Sequence, residues 1–334
     1  MNSRERVLTT FQFKEPDRVP LFEAWIEGVI MDAICNGDGD PYETRERLGI
    51  DCMPIAVGHP KSTNAWRTGT DEWGRIFKNH WYLGGVVKAL DDVEKYSPPL
   101  EFAEEWFPTE MMKESRKNYG DHALYYAFHD VCFVLSYMSM GIQNFFVAIH
   151  RNRELVEALI RRSTEWTIAM IEQANAAEVD FIMIGDDVAD SKGPMISLET
   201  FRDMILPRYK EIVAASEVPV IWHSDGQIEQ LLPLIIEAGF AGVHALEPDV
   251  GVDMGKIKEQ YGEKLVLAGN LDVTNVLTQS NLHLVQKDVE RCIEQGAPGG
   301  GYLFSSANSL FKGMHVESIL EAYRYAKEIG YYSG

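Results

Sequence analysis

The strongest constraint on this chain is a rhythm. From residue 121 onward, short apolar runs alternate with amphipathic stretches of helix length. The runs are ALYYAFHD at 123–130, VDFIMIGDDVAD at 179–190 (ending in acids), VPVIWHSDG at 218–226, FAGVHALEPD at 240–249, KLVLAGNLD at 264–272 and GGGYLFSSANSL at 299–310. They are near-continuously apolar, as strands are when both faces are covered. Strands separated by helix-length spacers imply βαβ units and a parallel sheet. Helices are expected at 152–177, 197–216 (a pair broken near Pro207), 227–239 (closed by Gly239), 254–262, 282–296 and 316–329, with a loop and helix at 131–149. Upstream, RVPLFEAW at 18–25 reads as a first buried strand, and a poorly defined strand near 50–57 brings the count to eight. That count favours an α/β fold of the closed (β/α)8 TIM-barrel type over an open doubly wound sheet. No G-x-G-x-x-G follows the first strand, and GAPGGG at 296–301 precedes a strand rather than following one, so neither glycine-rich phosphate motif is supported. Asn2 and Glu5 stand at capping-box spacing before a helix over 3–12.

Residues 58–120 break the rhythm. TDEWGRIFKNHWYLGG reads as a hairpin or small sheet, and DDVEKYSPPLEF as loops and a short helix. Such an aromatic-rich insertion is expected as a lid or wall on one barrel domain spanning 1–334. Its Trp66, Trp73, Phe77, Trp81 and Tyr82 either wall a flat substrate or form the insertion's own small core. The net charge is −20, from 31 basic against 51 acidic residues. This excludes nucleic acid as a partner, because that binding rests on neutralised phosphates, and it excludes an anionic membrane surface. The N-terminus lacks the apolar region of a signal peptide, and no apolar run reaches the roughly 18 residues that span a bilayer, so a cytoplasmic protein is expected. Cys35, Cys52, Cys132 and Cys292 form no C-x-x-C, which suits a reducing compartment and offers no thiolate cluster.

In a closed barrel the C-terminal strand ends converge on one face, and that face carries the active site. Polar residues stand at those ends: Glu23; His129 and Asp130; Asp186 and Asp187; His223 and Asp225; His244 and Glu247; Asn270 and Asp272; Ser305, Ser306 and Asn308. Caps and turns account for some of these singly, Asp249 and Asp272 among them, but not for the set. His223 leaves an apolar strand, and Asp225 lies two residues on, on the same side in extended geometry. Such a pair serves as an oriented acid/base couple or holds a metal. His223, Asp225 and Asp187 are therefore the expected catalytic residues. Glu23, His129, Asp186, His244, Glu247, Asn270 and Ser305 are the expected substrate contacts. His223, Asp225 and Glu247 are the expected ligands if a metal binds.

RERVLTTFQFKEPDRVP, DEWGRIFK, HSDGQIEQLLPLIIEAG, LEPDVGVDMGKIKEQYG, LAGNLD and GAPGGGYLFSSANS together resemble the uroporphyrinogen decarboxylase superfamily over nearly the whole chain. The resemblance implies the (β/α)8 barrel independently of periodicity. It implies one of two activities: cofactor-free removal of acetate carboxyls from a tetrapyrrole, or exchange of methyl with a cobalamin protein. The decarboxylases carry an Arg-rich PxWxMRQAGRY segment after the first strand. Here that place reads PLFEAWIEGVIMD, so a polycarboxylate would meet Glu23, Glu27 and Asp32 instead of guanidinium forks. The thiol-directed methyltransferases carry His-x-Cys and a distant Cys as zinc ligands. Here Asp225 stands in the Cys place and Ser305–Asn308 holds none, so a soft thiolate site is absent. The HSDG form looks most like the methyltransferase-like branch, which includes demethylases of methoxylated aromatics. The resemblance thus implies methyl transfer between a small substrate, a methoxylated aromatic among the candidates, and a corrinoid carried by a partner protein. An ether oxygen leaves poorly, so the site needs a proton donor or a Lewis acid. No tightly bound cofactor is expected. Zinc, in less than stoichiometric amount, is the metal a harder site would take, and a homodimer is compatible with this reading. A tetrapyrrole decarboxylase, and a barrel that binds a tetrapyrrole or small ligand without catalysis, are the alternatives.

Overall fold

A computed structural model describes residues 1–55, 68–79, 81–98, 100 and 109–332. Seven strands form one curled parallel sheet, in the spatial order Cys52–Pro54, Ala123–His129, Phe181–Gly185, Val220–His223, Gly242–Ala245, Val266–Leu271 and Tyr302–Ser306. Each strand pairs with the next in parallel register. Every residue of the last five is buried, as the unbroken apolar runs require. The arrangement is a TIM-barrel-like α/β fold.

The stretch expected as the first strand is not a regular strand. It makes isolated bridges only, Leu21 beside Phe304 and Ile26 beside Leu310. Yet Phe22 N donates to the Phe304 carbonyl at 2.8 Å, Phe304 N donates to the Pro20 carbonyl at 3.0 Å, and Asp51 N donates to the Leu21 carbonyl at 2.8 Å. The segment therefore reaches from one edge strand of the sheet to the start of the other. Pro20 has no N–H to give, so a continuous ladder is interrupted there. The expected strand near 50–57 is the short Cys52–Pro54 element, and residues 56 and 57 lie outside the described residues.

The helices follow the expected rhythm, with informative departures. Residues 131–149 hold two helices, Cys132–Met140 and Ile142–Arg151, bent by 101° at Gly141. The expected pair at 197–216 is one continuing run. Leu198–Thr200 passes through a π turn at Phe201–Ile205 into Leu206–Ala214. The wider turn sits just ahead of Pro207, whose missing N–H would otherwise break the ladder. Pro233 falls in the first turn of Leu232–Ala238, where no N–H is needed, and Gly239 closes that helix at φ +96°. No single helix among the described residues is long and apolar enough to cross a membrane.

The described part of residues 58–120 is a three-stranded antiparallel sheet, Thr68–Thr70, Arg75–Lys78 and Trp81–Gly85, with helices Leu90–Lys95 and Thr109–Asn118. Its aromatics do not act as one wall. Trp73 is buried and meets Trp166 edge-on at 6.2 Å, Phe77 packs on Tyr82 at 5.9 Å, and Trp81 is 78% exposed. Trp66 lies outside the described residues.

At the opposite end of the strands, the N-terminal helix Ser3–Phe11 is pinned by ions. Its capping box forms as expected, Glu5 N donating to Asn2 Oδ1 at 2.8 Å and Asn2 N to Glu5 Oε2 at 3.1 Å. Fully buried Asp51 then accepts from Arg6, from both Nη atoms of Arg18, from Ser3 Oγ and from Leu21 N, all at 2.7–2.9 Å. Replacing Asp51 by Ala leaves buried Arg18 without its carboxylate and Arg6 with Asp17 alone, so Asp51→Ala is expected to cost roughly 3 kcal/mol in urea denaturation.

Candidate active site at the strand ends

The site begins with three consecutive strand ends. His129 ends Ala123–His129, Asp187 follows Phe181–Gly185, and His223 ends Val220–His223. Parallel register sets Gly185 beside both His129 and His223. The absent side chain at 185 matters, because a Cβ there would lie 2.0 Å from His129 Cδ2. With that space open, His129 Nε2 lies 3.4 Å from Asp187 Oδ2, and His223 Nε2 lies 3.9 Å from Asp187 Oδ1 and 3.4 Å from Asp225 Oδ1. The ligand atoms of His129, Asp187 and His223 all fall within 4.8 Å of one another.

Each of these groups is held from behind. His129 Nδ1 donates to Asp130 Oδ1 at 2.8 Å, and Asp130 in turn pairs with Arg75 of the three-stranded sheet. Arg75 is buried and also bonds Asp71 at 2.6 Å. His223 Nδ1 sits 2.7 Å from His244 Nδ1. Asp225 Oδ1 accepts from Asn308 Nδ2 at 2.8 Å, and Asp225 N donates to Asp187 Oδ1 at 3.0 Å. Glu247 accepts from Gly226 N at 2.7 Å and from Asn308 at 3.2 Å. Trp25 closes one side, its ring edge-on to His223 at 4.9 Å and to His129 at 5.9 Å.

The electrostatics divide the roles. Burial pushes the His223 imidazole down to about 3, and the charge on His129 adds to that while Asp187 opposes it. Burial would lower His129 as well, but Asp130 and Asp187 outweigh it and raise it well above the usual value. Asp187 falls to about 2, burial being overcome by His129. Asp225 rises to about 7, from burial first and then from Asp187 and Glu247. Two adjacent carboxylates of opposite protonation preference, beside a neutral imidazole, suit proton transfer near neutral pH.

Other expected site residues sit elsewhere. Asp186 is fully buried and accepts from Phe133 N, Val134 N and the Tyr209 hydroxyl, seating the start of helix Cys132–Met140. Glu23 is fully buried and accepts from Ser306 N and Oγ and from the Tyr323 hydroxyl. Asn270 donates to the Leu246 carbonyl and is gripped by Arg291. That bond spans strained backbone, since Ala245 has φ +86°, Leu246 +56° and Asn270 itself +76°. Ser305 is buried, its hydroxyl on the Ser306 carbonyl. Within the expected metal set, neither Asp225 nor Glu247 is part of the converging group. Sequence reasoning placed Asn308 in the strand-end set without a role, and did not point to Trp25 or Arg75. Only Arg75 carried a signal, as the basic residue inside the DEWGRIFK block.

Residues 82–329 match the family model described as uroporphyrinogen decarboxylase (URO-D). A methylated-thiol–coenzyme M methyltransferase of Methanosarcina mazei is 24% identical over 188 residues, 56% of this chain and 48% of that protein. A methylcobamide:CoM methyltransferase of Methanosarcina barkeri is 26% identical over 176 residues, 52% and 48% of the two chains. The chain thus matches over about half the length of these two relatives. A uroporphyrinogen decarboxylase of Methylococcus capsulatus is 22% identical over 252 residues, 71% and 69% of the two. Among solved structures, a methyltransferase from Methanosarcina mazei shares the fold, with TM-score 0.77 and 18% identity over 98% of this chain and 99% of that one.

Glu23 offers a test of the buried half of this constellation. Burial lifts its carboxyl from 4.5 to about 7, so the folded state binds its proton more tightly than the unfolded state. The linked stability is fully present below pH 4.5 and is lost as pH rises to 7, by roughly 3 kcal/mol. Glutamine fits the same bonds: its amide donates to Ser306 Oγ, which passes its own hydrogen to the Asn308 carbonyl at 3.2 Å. Glu23→Gln is expected to gain on the wild type steadily between pH 4.5 and 8, read from urea midpoints at each pH.

Proposed function

The chain belongs to the uroporphyrinogen decarboxylase family, and from that premise we propose that it is a corrinoid-dependent methyltransferase, moving methyl between a small substrate and a corrinoid protein. The observation that carries this reading is the make-up of the site. Two imidazoles and the carboxylates of Asp187, Asp225 and Glu247 face one another. Among the described residues, Arg75 is the guanidinium bonded to this group, through Asp130, and it is held between Asp130 and Asp71. A tetrapyrrole with many carboxylates needs guanidinium forks and would meet repulsion here. The printed names of the two methyltransferase relatives support the same choice.

The chemistry asks this chain to ease the departure of an oxygen, nitrogen or sulfur from its methyl carbon. The partner's corrinoid supplies the nucleophile when docked. Asn308 orients Asp225, and the raised carboxyl delivers its proton to the leaving heteroatom. Neutral His223 flanks that carboxyl, its Nε2 3.4 Å from Asp225 Oδ1, and adds no positive charge that would draw the proton off it. Trp25 supplies an aromatic wall for a substrate ring, in keeping with a methoxylated aromatic. The same reading takes residues 20–22 as the eighth stave of a closed (β/α)8 barrel, one domain spanning 1–334.

Incubation with cob(I)alamin and a panel of methoxylated aromatics, methylated thiols and methylamines is expected to yield methylcobalamin with one class. Asp225→Asn is expected to lower kcat by roughly 10²–10³ with KM little changed, and His223→Ala to abolish turnover in a folded protein. Decarboxylation of uroporphyrinogen without any corrinoid would refute the reading.

A further inference from the structure

We propose that His129, Asp187 and His223 form a divalent-cation site, with zinc the best match, in which each residue gives one ligand atom. Around a tetrahedral zinc, ligands at about 2.0–2.1 Å stand roughly 3.3 Å apart. Asp187 reaches toward both rings, Oδ2 lying 3.4 Å from His129 Nε2 and Oδ1 3.9 Å from His223 Nε2. One ligand atom from each residue falls within 4.8 Å of the other two, so drawing them to about 3.3 Å closes the widest gap by about 1.5 Å. Two neutral nitrogens and one carboxylate oxygen make a borderline donor set of the zinc type. With three protein ligands, a fourth position stays open for water or a substrate heteroatom.

A second, independent observation is how the two imidazoles are aimed. Metal-bound histidines donate their other ring N–H to an outer acceptor, which fixes tautomer and direction. His129 is built this way, and His223 has His244 Nδ1 in the acceptor's place. Asp130 can only accept, so His129 keeps its Nδ1 hydrogen, and Nε2, aimed at Asp187, is the nitrogen that exchanges its proton for a cation. The Nδ1 of His244 lies 2.7 Å from that of His223, and with His223 as donor its Nε2 lone pair faces the same carboxylate. Arg75 holds Asp130 in place, so the line of support runs from the three-stranded sheet through Asp130 to the ligand. Gly185 keeps the space between the rings clear. The thiols play no part: Cys52, Cys132 and Cys292 are buried, and no cysteine belongs to the converging group.

The inference differs from the sequence expectation in two of three ligands. Asp225 is left beside the open position, its Oδ1 held by Asn308, free to serve as the acid. Glu247 is occupied by Gly226 N and Asn308. The inference rests on the methyl-transfer reading only for its use, a Lewis acid at the leaving heteroatom; the site itself is tested without turnover.

The test uses the full chain, stripped with EDTA and titrated with Zn²⁺, followed by elemental analysis after desalting, and with Co²⁺, followed by its visible d–d absorbance. One ion per chain is expected. His129→Ala, Asp187→Asn and His223→Ala are each expected to weaken binding roughly 100-fold or more, and Asp130→Asn about tenfold. Glu247→Gln is expected to bind as the wild type does. Circular dichroism and Tm identify variants that remain folded, and the isosteric Asp187→Asn guards against collapse of the alanine variants. Failure of the wild type to bind either ion at one per chain overturns the proposal. So does undiminished binding in any folded ligand variant, or loss in Glu247→Gln. Metal binding without methyl transfer would count against the function alone, and methyl transfer without metal binding against the site alone.

Discussion

The whole structure depends on burying both faces of a parallel sheet. Its strands have no wet side, so their middles must be apolar and polar residues are pushed to the ends. Curling the sheet brings those ends together, and the chemistry collects where the constraint relaxes. The price is that carboxylates at strand ends are desolvated, and each needs a partner or a proton. Asp51 meets this with two guanidinium groups, and Asp180 with Arg4, Arg116 and Leu124 N. Glu23 and Asp186 meet it with hydrogen-bond donors alone, and burial still lifts both to about 7.

Asp186 and Asp187 show how finely position decides. They are neighbours in sequence, yet burial raises one and the site lowers the other to about 2. Asp186 turns inward to two backbone N–H groups and the Tyr209 hydroxyl. Asp187 faces two histidines, one of them charged. The period-two geometry of extended chain, carried past the strand end, separates them.

Much of the fold was legible in the sequence, because strand burial leaves an unbroken apolar run and each helix shows its own period. The irregular 18–25 segment was misread as a regular strand. Its apolar run is strand-like, but Pro20 denies it a ladder, and its pairing comes from residues some 30 and 280 positions away in the chain. The site was legible as a set of strand ends and less so as roles. Composition could not tell that Glu23 and Asp186 point into packed structure while Asp187 and Asp225 point at histidines. Nor could it place Arg75, which reaches Asp130 from 55 residues upstream.

That long reach joins the three-stranded sheet to the chemistry. Arg75 lies on the small antiparallel sheet, between Asp71 of its own hairpin and Asp130 at the barrel's edge. A guanidinium buried between two carboxylates stays charged and fixes both. Asp130, so held, keeps His129 charged in the absence of a cation, and that charge helps keep His223 neutral. The two histidines are thus coupled through space, one bearing the positive charge and the other a free lone pair. An entering divalent cation would displace the proton on His129 and take over its electrostatic role. The hairpin therefore sets the charge state of strand ends that it does not itself belong to.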